Sequence, residues 1–175
     1  MSAGFPVRVR SHLGDDLLMS ETDERATRAM SGTGDHWLVP GKEMVVAVCG
    51  GLTHDGHPML DAAGQLARLH EIRERTPLSE AAGIDRRRLQ LVRSIDRWMT
   101  LTTPVPYHEV GTFDATVGQV VDRLAERVTQ VCVTLAYAPD SVVDNAWSRV
   151  YELADAYQDL VDGLCAGTHR VPDAC

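Results

Sequence analysis

Polar side chains continue two apolar helical stripes in the first half of the domain. In one segment apolar residues recur at intervals of three and four, and the next positions on the same stripe are His70 and Arg73. In the following segment Arg88 occupies a stripe position, and Asp85 lies three residues before it. A buried charge is costly unless it is paired and hydrogen-bonded. We therefore expect these four side chains to meet one another, water or a ligand.

Proton transfer on a bound anion is one chemistry that these residues could perform. His70 would carry the proton, because the pKa of free imidazole is about 6.5. Arg73 and Arg88 would hold an anionic group, and Asp85 would orient one of the two guanidinium groups. Tyr157, from a later helix, could supply a hydroxyl. The alternative is a salt-bridge network that fixes the register of the helices, or helix ends at which these side chains reach water.

Other motifs that would fix a chemistry are missing from the sequence. His54 and His57 frame the sequence T-H-D-G-H-P, which could bind a divalent metal but is explained equally well by a surface turn. The segment H-E-I-R-E has Glu74 where the zinc-protease motif needs its second histidine. Paired Glu-x-x-His motifs, a G-x-S-x-G elbow and phosphate-binding or dinucleotide-binding glycine loops are also missing. We expect neither a metal nor a cofactor.

Four long helices are expected to position the candidate residues. Their apolar stripes have helical period and are separated by proline or glycine signals, with Ser79 and Asp114 as candidate caps. Short connections between helices of similar length favour antiparallel neighbours. The sequence therefore predicts an all-α fold, a four-helix antiparallel bundle without a β-sheet, preceded by one short helix. The predicted helices are 41–48 for the short one, then 58–75, 84–101, 114–135 and 143–167.

The first forty residues differ in composition from the rest. Residues 1–40 are polar, with glycines and prolines scattered among serine, aspartate and threonine. Within them, residues 15–30 have helical propensity but a weak apolar stripe, so a helix there would form only by docking on other elements. We expect a poorly ordered or loosely docked arm over 1–40 and a helical domain over 41–172.

Charge and composition exclude several kinds of partner. The formal net charge is −8, which disfavours nucleic acid, because binding to phosphate backbones depends on neutralisation by lysine and arginine. The longest apolar run, Met44 to Cys49, is far shorter than a membrane span, and no apolar stretch follows the N-terminus as in a signal peptide. The four cysteines form no C-x-x-C pair. We expect a cytoplasmic protein with reduced, mostly buried thiols.

Four short motifs carry a resemblance to a known family. They are the L-H-E-x-R of Leu69–Arg73, the I-D-R-R-R of Ile84–Arg88, the I-D-R-W of Ile95–Trp98 and the V-V-D-R-L of Val120–Leu124. The segment that contains them resembles the actinobacterial branch of domain of unknown function 4254, over roughly two thirds of the chain. This resemblance implies a helical domain from high-GC actinobacteria, with relatives beside specialised-metabolite genes, but no reaction. The sequence I-D-R-R-R-L-Q-L-V-R is also similar to the first helix of small helical chorismate mutases, in which arginines hold a dicarboxylate.

Two functional hypotheses follow. The first is a cofactor-independent isomerase, cyclase or lyase of specialised metabolism, in which His70 and Tyr157 transfer protons while Arg73 and Arg88 anchor an anionic substrate. The second is a non-catalytic binding or accessory protein, with a homodimer as one form that it could take. A deep pocket lined by the cluster would favour the enzyme. A filled core and an apolar outer face would favour the accessory protein.

Overall fold

The computed structural model describes residues 38–105, 111–135 and 137–170, and these residues form an all-α fold, which confirms the predicted class. The predicted helices are all present, although their ends differ by up to a few residues. A single 3₁₀ turn, Leu78–Glu80, precedes the third helix. The helices are α1 (Lys42–Cys49), α2 (Pro58–Glu74), α3 (Ala82–Thr102), α4 (Val117–Thr134) and α5 (Asp140–Cys165).

One pair of very short strands accompanies the helices. Strand β1 (Gly111–Thr112) pairs in parallel with β2 (His169–Arg170), and the ring of Phe113 stacks on that of His169 with centroids 4.3 Å apart. Strand β1 therefore corrects the prediction that no β-sheet lies between α2 and the end of α5. Two residues are too few to produce an alternating pattern in the sequence.

The starts of two helices differ from the prediction. The N-cap of α4 is Thr116 rather than Asp114: its hydroxyl accepts a hydrogen bond from the backbone of Gln119, whose side chain accepts one from the Thr116 backbone. Ser79 does not cap α3, because it lies within the 3₁₀ turn and Ala81 is the N-cap, without a side-chain hydrogen bond. Asp114 and Ser79 both have side-chain oxygens that can cap a helix, but each lies two residues before the observed N-cap.

Helix α4 is the centre of the fold. It packs against each of the other four helices, whereas within the described residues α3 and α5 do not contact each other. Helix α1 fills the space between α2, α4 and α5, and it buries Val45, Val48 and Cys49 in the common core. The short first helix is therefore part of the bundle core. The order of the four long helices matches the prediction, whereas a complete set of antiparallel pairs remains a prediction.

A close contact joins α3 to the start of α4. Asp96 accepts hydrogen bonds from the backbone of Gly118 at 2.7 Å and from the hydroxyl of Thr116 at 2.8 Å. A Cβ atom at Gly118 would lie 2.4 Å from the carbonyl oxygen of Val92, so only glycine permits this approach. The aspartate of the I-D-R-W motif therefore serves as a cap for the N-terminus of α4.

The last residues of the predicted arm are packed against the helices. Val39 and Pro40 are buried, and the indole nitrogen of Trp98 donates a hydrogen bond to the carbonyl oxygen of Leu38 at 2.7 Å. The remainder of the arm prediction, residues 1–37, lies outside the described residues.

Among the cysteines in the described part of the chain, Cys49 is buried whereas Cys132 and Cys165 are exposed, so the expectation of mostly buried thiols is wrong.

Candidate functional site

Asp122 of α4 lies at the centre of a polar cluster between α2, α3 and α4. Its carboxylate oxygens accept hydrogen bonds from Arg88 Nη2 at 2.7 Å and from Arg88 Nε at 3.2 Å. The His70 Nε2 atom lies 2.9 Å from Asp122 Oδ1, and because a carboxylate can only accept, Nε2 carries the proton. Three donors from two helices thus converge on one carboxylate of a third.

Asp85 and Arg73 form the outer edge of this cluster. Asp85 Oδ1 lies 3.4 Å from Arg88 Nη1 and 3.6 Å from Arg73 Nε, and the Asp85 side chain is about half exposed. Exposed pairs at such distances contribute about 0–1 kcal/mol. The structure therefore brings together four of the five residues predicted from the sequence, with His70 buried, Arg88 and Arg73 partly buried and Asp85 about half exposed.

Electrostatics within the cluster are balanced. Burial alone would raise the pKa of Asp122, but the hydrogen bonds from His70 and Arg88 outweigh it, so the pKa lies below its ordinary value. The hydrogen bond to Asp122 raises the pKa of Arg88. Two carboxylates and two guanidinium groups are thus in mutual contact, and the cluster needs no external counter-ion.

His70 has the partner of a general base but little access to solvent. An aspartate that accepts from one imidazole nitrogen orients the ring, as in hydrolytic triads. The His70 side chain is only 6% exposed, however, and the Asp122 side chain is 18% exposed. Arg88 occupies both oxygens of that carboxylate. In this arrangement the Asp122 carboxylate and the His70 Nε2 atom are already engaged.

Tyr157 does not join the cluster. Its side chain is completely buried, and its hydroxyl donates a hydrogen bond to the carbonyl oxygen of Pro40 at 2.6 Å. Burial also raises the pKa of the phenol, which makes it a poorer proton carrier near neutral pH. The predicted catalytic hydroxyl is therefore a structural link between α5 and the segment before α1.

Asp122 is the member of the cluster that the sequence analysis missed, although it lies within the V-V-D-R-L motif. A signal exists in the spacing of Gly118, Asp122, Ala125 and Thr129, which recur at intervals of four, three and four. The other three are buried, so this is a second inward-facing stripe of α4, made of small residues. A carboxylate on such a stripe predicts a cationic partner on a neighbouring helix.

The two histidines before α2 have structural contacts. His57 is the N-cap of α2, where its Nδ1 atom accepts a hydrogen bond from the backbone of Met59 at 3.2 Å, and its ring meets Trp98 edge to face. His54 Nε2 lies 3.3 Å from Asp61 Oδ1. Within the ranges that the structure describes, no three histidine, cysteine or acidic side chains are grouped as metal ligands.

Comparison of the chain with protein-family models, with curated proteins and with solved structures finds no match. The resemblance to domain of unknown function 4254 therefore stays a prediction from its four motifs. Among the helices of the described segments, none is long and apolar enough to cross a membrane.

Proposed function

We propose that this protein binds a small molecule without converting it, and that its polar cluster braces three helices. The observation that supports the brace is the double contact of Arg88 with Asp122, which His70 completes. Each of the three groups finds its partner inside the protein. Because its members form hydrogen bonds with one another, the cluster is expected to fix the positions of α2, α3 and α4 rather than to bind a substrate.

The competing enzyme hypothesis has less support. It needs His70 to face a substrate, but the His70 side chain is only 6% exposed. It also needs a hydroxyl from Tyr157, which is directed at Pro40. We also propose a cytoplasmic location, which the short apolar runs and the cysteine pattern of the sequence suggest, and a role in specialised metabolism, which the family resemblance implies.

Thermal unfolding of His70→Ala and Arg88→Ala tests the brace. Each substitution removes one of the two partners of Asp122, which we expect to cost about 1–3 kcal/mol of stability. For a domain of this size the melting temperature should fall by about 3–9 °C. Arg86→Ala is the matched control, because Arg86 is an exposed arginine of the same motif and should melt like the wild type.

A different outcome would support catalysis. If both variants melt like the wild type but lose binding or turnover of a ligand, then His70 and Arg88 are kept for function, and the brace is wrong. Arg73→Ala should change the melting temperature little in either case, since its ion pair with Asp85 is long and partly exposed.

A further inference from the structure

Two adjoining cavities lie between α4 and α5, and they form one groove. The first has a volume of about 570 Å³ and the second about 630 Å³, and Arg127 and Arg149 line both. Along the groove, residues 134 to 123 of α4 face residues 141 to 156 of α5, so these two helices run antiparallel. We call this feature the α4–α5 groove. Its two halves meet at the arginine pair.

The groove exists because the first part of α5 is only partly packed against the core, through Ala146 and Trp147. The buried residues of α5 begin at Val150, so the stretch 140–149 contributes no fully buried side chain. Opposite this stretch, α4 presents Val131, which is buried, and the amide and hydroxyl groups of Gln130 and Thr134. The volume of each half lies in the range of roughly 300–1,000 Å³ that is typical of small-molecule sites.

Charge distinguishes the two halves. The first half is lined by Arg127 and Arg149 and by no acidic residue. The second half adds Arg123 together with Glu126 and Glu152. The whole groove thus has one net positive charge, in a protein whose formal net charge is −8. One positive charge matches a monoanion better than a dianion such as phosphate. The first half, which has Val131, Val142 and Ala146 and no acidic residue, suits the apolar body of the ligand.

The arginine pair is available for a ligand. Among the described residues neither Arg127 nor Arg149 forms an ion pair, and the hydrogen bond of Arg127 is to the neutral Gln130 at 3.3 Å. Guanidinium groups present planar forks of donors that fit carboxylates. Beyond the pair, Val131, Val142 and Ala146 provide an apolar wall for the rest of the molecule.

We infer that the α4–α5 groove binds an organic acid with a single carboxylate and an apolar body. The carboxylate lies between Arg127 and Arg149, and the body lies along the first half of the groove. This inference rests on the proposed binding function and names its site and ligand class. It requires no covalent step.

Octanoate is a suitable probe, with octylamine, octanol and inorganic phosphate as comparison ligands. Titration followed by amide NMR shifts should show octanoate binding at millimolar concentration, with the largest shifts in 127–134 and 141–149. Arg127→Ala and Arg149→Ala should each weaken binding by about tenfold, the value expected for loss of a charge-assisted hydrogen bond. Arg97→Ala, an exposed arginine on α3, should bind like the wild type.

Three results would overturn the inference: no binding of octanoate, equal binding of octylamine or phosphate, or unchanged binding in both groove variants. Shifts centred on His70 and Asp122 instead would move the site to the cluster and leave the proposed binding function standing. Loss of octanoate binding in Arg88→Ala at an unchanged melting temperature would count against the brace, and thus against the proposed function itself.

Discussion

Asp122 explains why charged and polar residues occupy apolar stripes on two other helices. A carboxylate that is mostly withdrawn from water needs donors, and the inward positions of His70 and Arg88 are the ones that reach it. The sequence revealed these two donors because each interrupts a stripe of larger apolar residues. It did not reveal the acceptor, because Asp122 lies among small residues on a weaker stripe of α4.

The hydrogen bond from the Tyr157 hydroxyl to Pro40 can be tested by removing a single oxygen atom. In Tyr157→Phe the Pro40 carbonyl oxygen loses its donor within the core, which we expect to cost about 1–2 kcal/mol. The melting temperature should fall by about 3–6 °C. Tyr151→Phe is the matched control, because Tyr151 is exposed and keeps its ring stacking on Trp147. Equal melting of the two variants would mean that the Tyr157 hydroxyl contributes nothing to stability.

At the scale of elements, the contact between α3 and α4 depends on one glycine. In Gly118→Ala the new methyl group would lie 2.4 Å from the Val92 carbonyl oxygen, and the helices would have to separate. Overpacking of this kind costs about 1–3 kcal/mol, so denaturant unfolding should show a clear loss of stability. The hydrogen bond from the Gly118 backbone to Asp96 should weaken at the same time.

Gly83→Ala provides the opposite expectation on the neighbouring helix. Gly83 lies near the start of α3, and no atom lies within 4 Å of a Cβ at this position. Alanine has the higher helix propensity, so this variant should be as stable as the wild type or up to about 1 kcal/mol more stable. If both alanine variants had the same stability, close packing at Gly118 would not matter.

The elements themselves were largely predictable, because helical periodicity over fifteen or more residues is a strong signal. Their ends were less so. Asp114 and Thr116 are both good caps, and the hydrogen bond of Thr116 to Asp96 on another helix favours the later one. The same limit applies to β1, whose partner β2 lies at the far end of α5. Contacts between distant segments decide such details, and a local pattern does not contain them.

At the scale of the whole molecule, stability depends on pH through carboxylates whose pKa values move in opposite directions. The pKa of Asp122 is lowered by its donors. For Asp96, burial raises the pKa above its ordinary value, although hydrogen bonds from Gly118 and Thr116 act against this. The folded state therefore favours an ionised Asp122 and a protonated Asp96 relative to the unfolded chain.

These directions give opposite expectations for Asp122→Asn and Asp96→Asn. Ionised Asp122 contributes stability above its unfolded pKa, and this contribution is lost as the pH falls through the lower folded pKa. Asp122→Asn should therefore be destabilised by about 1–2 kcal/mol at neutral pH. Ionised Asp96 opposes folding, and asparagine resembles its protonated form. Asp96→Asn should be as stable as the wild type or more stable at neutral pH.

Both differences should shrink as the pH falls from about 5 to about 3, because Asp96 is then protonated in both states and Asp122 is protonated in the unfolded chain before it is protonated in the folded protein. Urea unfolding of the three proteins at a series of pH values measures these differences directly. An Asp122→Asn protein whose deficit stayed constant down to about pH 3 would show that the loss comes from packing rather than from charge. A large deficit in Asp96→Asn at neutral pH would mean that the start of α4 needs the ionised carboxylate, and the direction assigned to the Asp96 pKa would be wrong.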